Sequence, residues 1–210
     1  MKIVNKREEI TMAVKKKASN AEILKQVLYE MLTLAHSVEF LTKNRWIKGQ
    51  SLIDSSEVIK TASVIKMRLL YDFLYSPKPT KKAEVIEKGE ICKDDYTAQN
   101  DFDITVPKPN LVGCDAKGMF TRQSVNKYIV HLTEERITKP KEIPLPKFNG
   151  GSDSIIKNSA LILASAEKFI DSLAKGNFLN LNQEGEYYLE DFKKTVIRLK
   201  ENPIFNQTYK

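Results

Sequence analysis

Glycine-rich loops, paired cysteines and long apolar runs are all missing from this chain of 210 residues, and each absence removes a class of function. There is no Gly-rich phosphate loop and no Gly-x-Ser-x-Gly nucleophile turn, so dinucleotide-fold, P-loop and serine-hydrolase readings have little to stand on. Cys92 and Cys114 are too few and too far apart for a zinc knuckle or a redox pair; two free thiols are the default, with a single disulfide left open. No apolar stretch approaches the roughly 20 residues of a membrane-spanning helix. The opening residues Lys2, Lys6, Arg7, Glu8 and Glu9 put charge where a secretory signal has its apolar stretch, so a cytoplasmic protein is expected. No internal repeat is present.

What the chain does have is charge of uneven distribution. The formal net charge is +7. Residues 1–18 hold five lysines and one arginine against two glutamates, and so supply over half of that surplus. We read 1–18 as a basic extension and 19–210 as a single helical domain. Such a tail attracts phosphate backbones through counterion release, and it equally serves as a solubilising end. It carries no interleaved aromatics on which bases would stack.

Apolar spacing predicts an all-α fold, a bundle of at least four long helices with a long irregular loop at 77–120. Ser19 and Glu22 have capping-box spacing, and Leu24, Val27, Leu28, Met31, Ala35, Val38 and Leu41 recur along one face of a helix that closes near Gly49. His36 flanks that stripe, where a packing role is expected. A second helix runs from about Ser51 to Tyr75, with Val58, Ala62, Ile65, Leu69 and Phe73 facing inward, and Pro77 and Pro79 stop it. Within it Arg68 and Asp72 stand four apart. They make either an ordinary helix pair worth a few tenths of a kcal/mol or a cation held ready by a carboxylate beside a ligand site.

Asp94, Asp95, Asp101 and Asp103 lie in the 77–120 region. They lack the alternation, glycine and terminal glutamate of a calcium loop, so turn and cap roles are expected and no metal is assigned. Pro140, Pro144 and Pro146 favour an extended connector. A helix capped by Ser152 or Asp153 then carries Ile155, Ile156, Leu161, Leu163, Ala164, Phe169, Ile170 and Leu173, and stops at Gly176. A last helix, Glu186 to Lys200, carries Tyr188, Leu189, Phe192, Val196 and Leu199, and Pro203 closes it.

The segment with most chemical content is 124–136, which holds one of the two histidines. Helical spacing groups Lys127, His131 and Glu135 on one face: a cation, an imidazole and a carboxylate in a row. Histidine is the side chain best suited to exchange protons near neutral pH. The plainer reading is a polar residue on a helix surface.

Together, the stretch Met67 to Tyr75, then Asp94-Asp95, then Asn126-Lys127-Tyr128-Ile129-Val130-His131-Leu132-Thr133 resembles a group of bacterial helical proteins sharing an R-x-x-x-D-F, D-D, N-K-x-x-x-H-L-T order over roughly residues 20–140. More distantly, Asn126 to His131 resembles the R-N-x-x-x-H signature of HEPN domains. That resemblance implies an all-helical, commonly dimeric domain, related to metal-independent ribonucleases of stress and phage-defence systems. Asn126 stands where that family has its arginine, and Lys127 follows it. The resemblance carries over His131 outright and implies RNA or a nucleotide as substrate, a homodimer and no cofactor; Lys127, four residues before His131 on the same face, is expected to be its catalytic partner, with Asn126, Arg68, Arg136 and Tyr128 as substrate contacts. In a cleavage reaction His131 moves a proton while Lys127 stabilises charge developing on the phosphate. The alternative is a non-catalytic helical module that dimerises or binds a protein partner.

Overall fold

The structure is a computed structural model that describes residues 18–43, 50–75, 96–111, 151–177 and 179–209. The described residues form six helices and no strand, so the fold is all-α as the spacing predicts. Four of the helices are long, with 24, 26, 25 and 17 residues.

Helix α1 spans Asn20–Lys43. Its capping box forms as read: the Ser19 N–H donates to Glu22 Oε2 at 2.7 Å and the Glu22 N–H donates to Ser19 Oγ at 3.3 Å. All seven stripe residues are buried, and Ile23, Leu32 and Leu34 widen the apolar face. α1 packs against the helices that begin at Gln50, Gly151 and Gln183, which makes it the central helix of the described bundle.

Helix α2, Gln50–Tyr75, ends two residues before Pro77. Its orientation corrects the sequence expectation. The core face is Ser63, Val64, Met67, Leu70, Phe73 and Leu74, whereas Val58 is 66% exposed and Leu69 48% exposed. Of the five residues expected inward, only Phe73 is buried. Lys66 reaches Glu30 of α1 at 2.6 Å, and residues 101–102 touch both the start of α1, through Asn20, and the end of α2, through Phe73, so α1 and α2 run antiparallel.

The expected irregular region is more ordered than its composition suggests where it is described. Helix α3, Ala98–Phe102, is capped by Thr97, whose hydroxyl accepts from the Asn100 N–H at 3.0 Å, while the Thr97 N–H donates to Asp101 Oδ2 at 2.7 Å. Asp103 closes it in the left-handed region at φ 54°. Asp101 and Asp103 are thus helix-end residues, as expected of them. Tyr96, Phe102, Ile104 and Leu111 then pack on the core, and the Tyr96 hydroxyl accepts from the Ala18 N–H at 3.0 Å. The remaining parts of 77–120, and residues 1–17, lie outside the described residues.

Helix α4, Gly151–Lys175, is buried around much of its circumference, including the polar Ser154, Asn158, Ser159 and Ser165. It meets α2 near that helix's C-terminal end, where Phe169 packs edge-on against Phe73 of α2 and Phe102 of α3. Its exit passes through Gly176 and Asn177, the latter at φ 55°.

Helix α5, Gln183–Leu199, begins three residues before Glu186 because the Asn182 side chain accepts from the Gly185 N–H at 2.9 Å. Pro203 does not only end that run. It opens helix α6, Pro203–Thr208, under an Asn202 cap, since a proline at the first helical position loses no hydrogen bond. Phe205 and Tyr209 then return the chain to α4, where the Tyr209 hydroxyl donates to Glu167 at 2.9 Å.

Candidate functional site

Of the residues expected to carry a site, the described structure places Arg68. His131, Lys127, Asn126, Tyr128 and Arg136 lie outside the described residues. Arg68 stands on α2 with its guanidinium forked onto Asp72: Nε to Oδ2 and Nη2 to Oδ1, both 2.7 Å. The two side chains are 14% and 25% exposed, so this is a half-buried pair and not the fully solvated one of the plainer reading. The fork holds the guanidinium plane in one orientation and leaves Nη1 outside the pair.

Three further residues join it that sequence reasoning missed. Tyr71 and Tyr75 share the Arg68–Asp72 face at helical spacing, with ring centroids 4.9 Å apart. Lys108, from the extended segment after α3, sets its ammonium 5.0 Å from the Tyr71 ring centroid, within the range of a cation–π contact. Burial pushes the Tyr75 phenol up to about 12, so it stays protonated; beside it, the Ser165 hydroxyl donates to the Leu161 carbonyl at 3.0 Å. The tyrosines were legible as a helical face with Arg68. Lys108 was not, because tertiary folding alone brings it there. A guanidinium, an ammonium and the Tyr71 ring can hold an anionic or aromatic group, whereas the Tyr75 hydroxyl is buried. They offer no general base tuned to neutral pH, so this cluster suits binding more than proton transfer.

The second histidine has no packing role. The His36 side chain is 46% exposed, with Nε2 3.5 Å from Asp191 Oδ2. Ala35 takes the core position and the next residue on the helix turns outward. His36 belongs to a polar seam between α1 and α5. Lys25 meets Glu184 at 3.1 Å, Tyr29 meets Tyr188 with centroids 5.7 Å apart, and Glu39 receives both Arg198 Nε at 2.7 Å and Arg198 Nη2 at 3.2 Å. Hydrogen bonds from Arg198, then from Lys43, hold the Glu39 carboxyl down at about 2.

Charge is segregated along the chain. Residues 1–18 hold six Lys and Arg against two Glu, and residues 112–150 seven against four, so these two stretches account for the net charge of +7. Among the described residues no group of three His, Cys, Asp or Glu is placed to hold a metal, and no helix is long and apolar enough to cross a membrane. Compared with protein-family models, with curated proteins and with solved structures, the chain matches none.

Proposed function

We propose that this chain binds RNA or a nucleotide in the manner of a HEPN-like protein, through the basic residues of 1–18 and 112–150 and the face of α2 that carries Arg68. The observation that carries this reading is the uneven charge of the sequence: residues 1–18 and 112–150, the latter holding Lys127 and His131, together account for the net charge of +7. Polyanion affinity scales with the phosphates neutralised, so most of it resides in those basic segments. Arg68, Lys108 and Tyr71 supply the scaffold's contribution, an oriented cation and an aromatic ring with a second cation over it. In this reading His131 and Lys127 face the phosphate, and any strand cleavage runs through them without a metal, His131 moving the proton and Lys127 stabilising the developing charge. Asn126 lacks the forked charge of an arginine, which makes binding the principal activity and cleavage slow. The test is binding of a labelled single-stranded RNA at several salt concentrations, for the full chain and for His131→Ala, Lys127→Ala and Arg68→Ala.

A second reading, a helical module that dimerises, is favoured by one feature. The outward face of α2 is apolar, with Val58 and Leu69 among the exposed large hydrophobic residues.

A further inference from the structure

The rim where α1 meets the first half of α5 leaves aromatic rings in solvent. Tyr29 of α1 is 40% exposed and Tyr187 of α5 62% exposed, and Tyr188 joins them, its ring centroid 5.7 Å from that of Tyr29 and 6.0 Å from that of Tyr187. Three adjoining rings make a surface patch, which a single exposed tyrosine does not. The patch already receives one cation, Lys66, whose ammonium lies 5.4 Å from the Tyr29 ring centroid. Glu186 and Glu190 share the outward face of α5 with Tyr187 at 100° per residue, and all three are exposed. From Gln183 to Phe192 the helix carries Glu184, Glu186, Glu190 and Asp191 and neither Lys nor Arg.

We propose that this tyrosine face is the docking surface of the chain's own basic extension, residues 1–17. Position selects that occupant. The extension joins the bundle at Ala18, whose N–H donates to the Tyr96 hydroxyl at 3.0 Å, and the Ser19 cap starts α1 directly after it. Lys25 pairs with Glu184, so the first turn of α5 lies roughly 10 Å along α1 from Ala18, and Tyr187 and Glu190 lie within about 20 Å along the same axis. A segment of this length reaches up to roughly 60 Å when extended, which covers that span with slack. Charge makes the same selection, since 1–17 holds six Lys and Arg against two Glu and the first half of α5 is acidic. Cations of the extension can lie over the exposed rings as Lys66 does, with Glu190 and Glu186 beside them; Glu186 has no ion-pair partner among the described residues. Tethering holds the segment at an effective concentration on the order of millimolar, so contacts too weak to capture a separate peptide suffice. The face and a polyanion then compete for the same cations, and docking regulates the RNA binding proposed above. Only that consequence rests on the RNA reading.

A nitroxide attached at Met12→Cys, in a full chain that also carries Cys92→Ser and Cys114→Ser, tests this through the amide NMR signals it broadens. At low salt the signals of residues 184–191 should lose about half of their intensity or more relative to the reduced label, and about 0.5 M salt should restore them. Glu186→Lys combined with Glu190→Lys should restore them at low salt, with helicity checked by circular dichroism. Tyr187→Ala, at a position outside the core, gives the same reading if the charge reversal perturbs the fold. Broadening that is absent, or that falls on other helices and ignores both variants, overturns the docking. Broadening of equal size when the nitroxide and the isotope label are on separate, mixed chains assigns the face to a second copy and overturns it as well. Single-stranded RNA, added last, should release the extension and restore the signals. A chain that binds RNA and shows no broadening at 184–191 overturns the docking and leaves the RNA reading standing, whereas a docked extension on a chain that binds no RNA does the reverse.

Discussion

Glu39 of α1 and Arg198 of α5 are paired at a separation of 159 residues, and Lys25 and Glu184 are paired at the same separation. Tyr29 and Tyr188 repeat it between them. A constant offset means that the two helices run parallel and in register, so their dipoles align unfavourably and the seam relies on apolar burial and on these cross-pairs. Phe192, Val196 and Leu199 provide the burial from α5.

That pairing sets a pH dependence. Glu39 ionises more readily in the folded protein, at about 2, than in the unfolded chain, near 4.5. Its contribution is complete above the unfolded value and is lost as pH falls from about 5 toward 2. Acid titration of the melting temperature should show this limb, and Glu39→Gln should flatten it while costing about 1–2 kcal/mol at neutral pH. An unchanged acid limb in that variant would place the loss elsewhere.

The aromatic cluster at Phe169 joins three helices, so it should be the most sensitive single position there. Phe169 is fully buried against Phe73 and Phe102. Phe169→Ala should cost about 3–5 kcal/mol in urea unfolding, because the space left by the ring cannot be filled by two edge-on neighbours. A loss under 1 kcal/mol would show that the junction relaxes freely.

Arg68 and Asp72 should couple more strongly than a solvated helix pair. A double-mutant cycle with Arg68→Ala and Asp72→Ala should give about 1 kcal/mol of coupling, more than a fully exposed pair such as Lys194 and Glu190 gives. Arg68→Lys should keep most of the fold's stability and still weaken RNA binding, since a lysine has no fork to orient.

The histidines should separate cleanly. His36→Ala should change stability by no more than about 0.5 kcal/mol, because the ring is exposed and its contact to Asp191 is long. Deletion of residues 1–17 should leave the melting temperature nearly unchanged and shallow the salt dependence of RNA binding. Loss of the fold on that deletion would make the segment structural.

How much of this was readable in advance depended on whether a signal was local. The α1 stripe and the Ser19–Glu22 box were legible because each needs only near neighbours. The face of α2 was not, since this helix is apolar on two opposite sides and periodicity cannot say which one meets the core. Helix α3 has five residues, too few for a period, and Pro203 is equally a stop and a start. Lys108 over Tyr71 and the α1–α5 register are made by residues far apart in sequence, so no local pattern announces them. Arg68 was singled out from its spacing to Asp72 in an apolar run that allowed partial burial, and the pair forms half-buried.

The most direct test of the central proposal is equilibrium binding of single-stranded RNA by the wild-type chain and by His131→Ala and Lys127→Ala, each measured across a salt series with helicity checked by circular dichroism. The account predicts that the wild type binds with affinity falling steeply as salt rises. Lys127→Ala should bind more weakly with a slope shallower by about one ion. His131→Ala should keep its helices and lose any cleavage. Wild-type protein that neither binds nor cleaves RNA, with a His131→Ala variant whose only defect is lost stability, would contradict it.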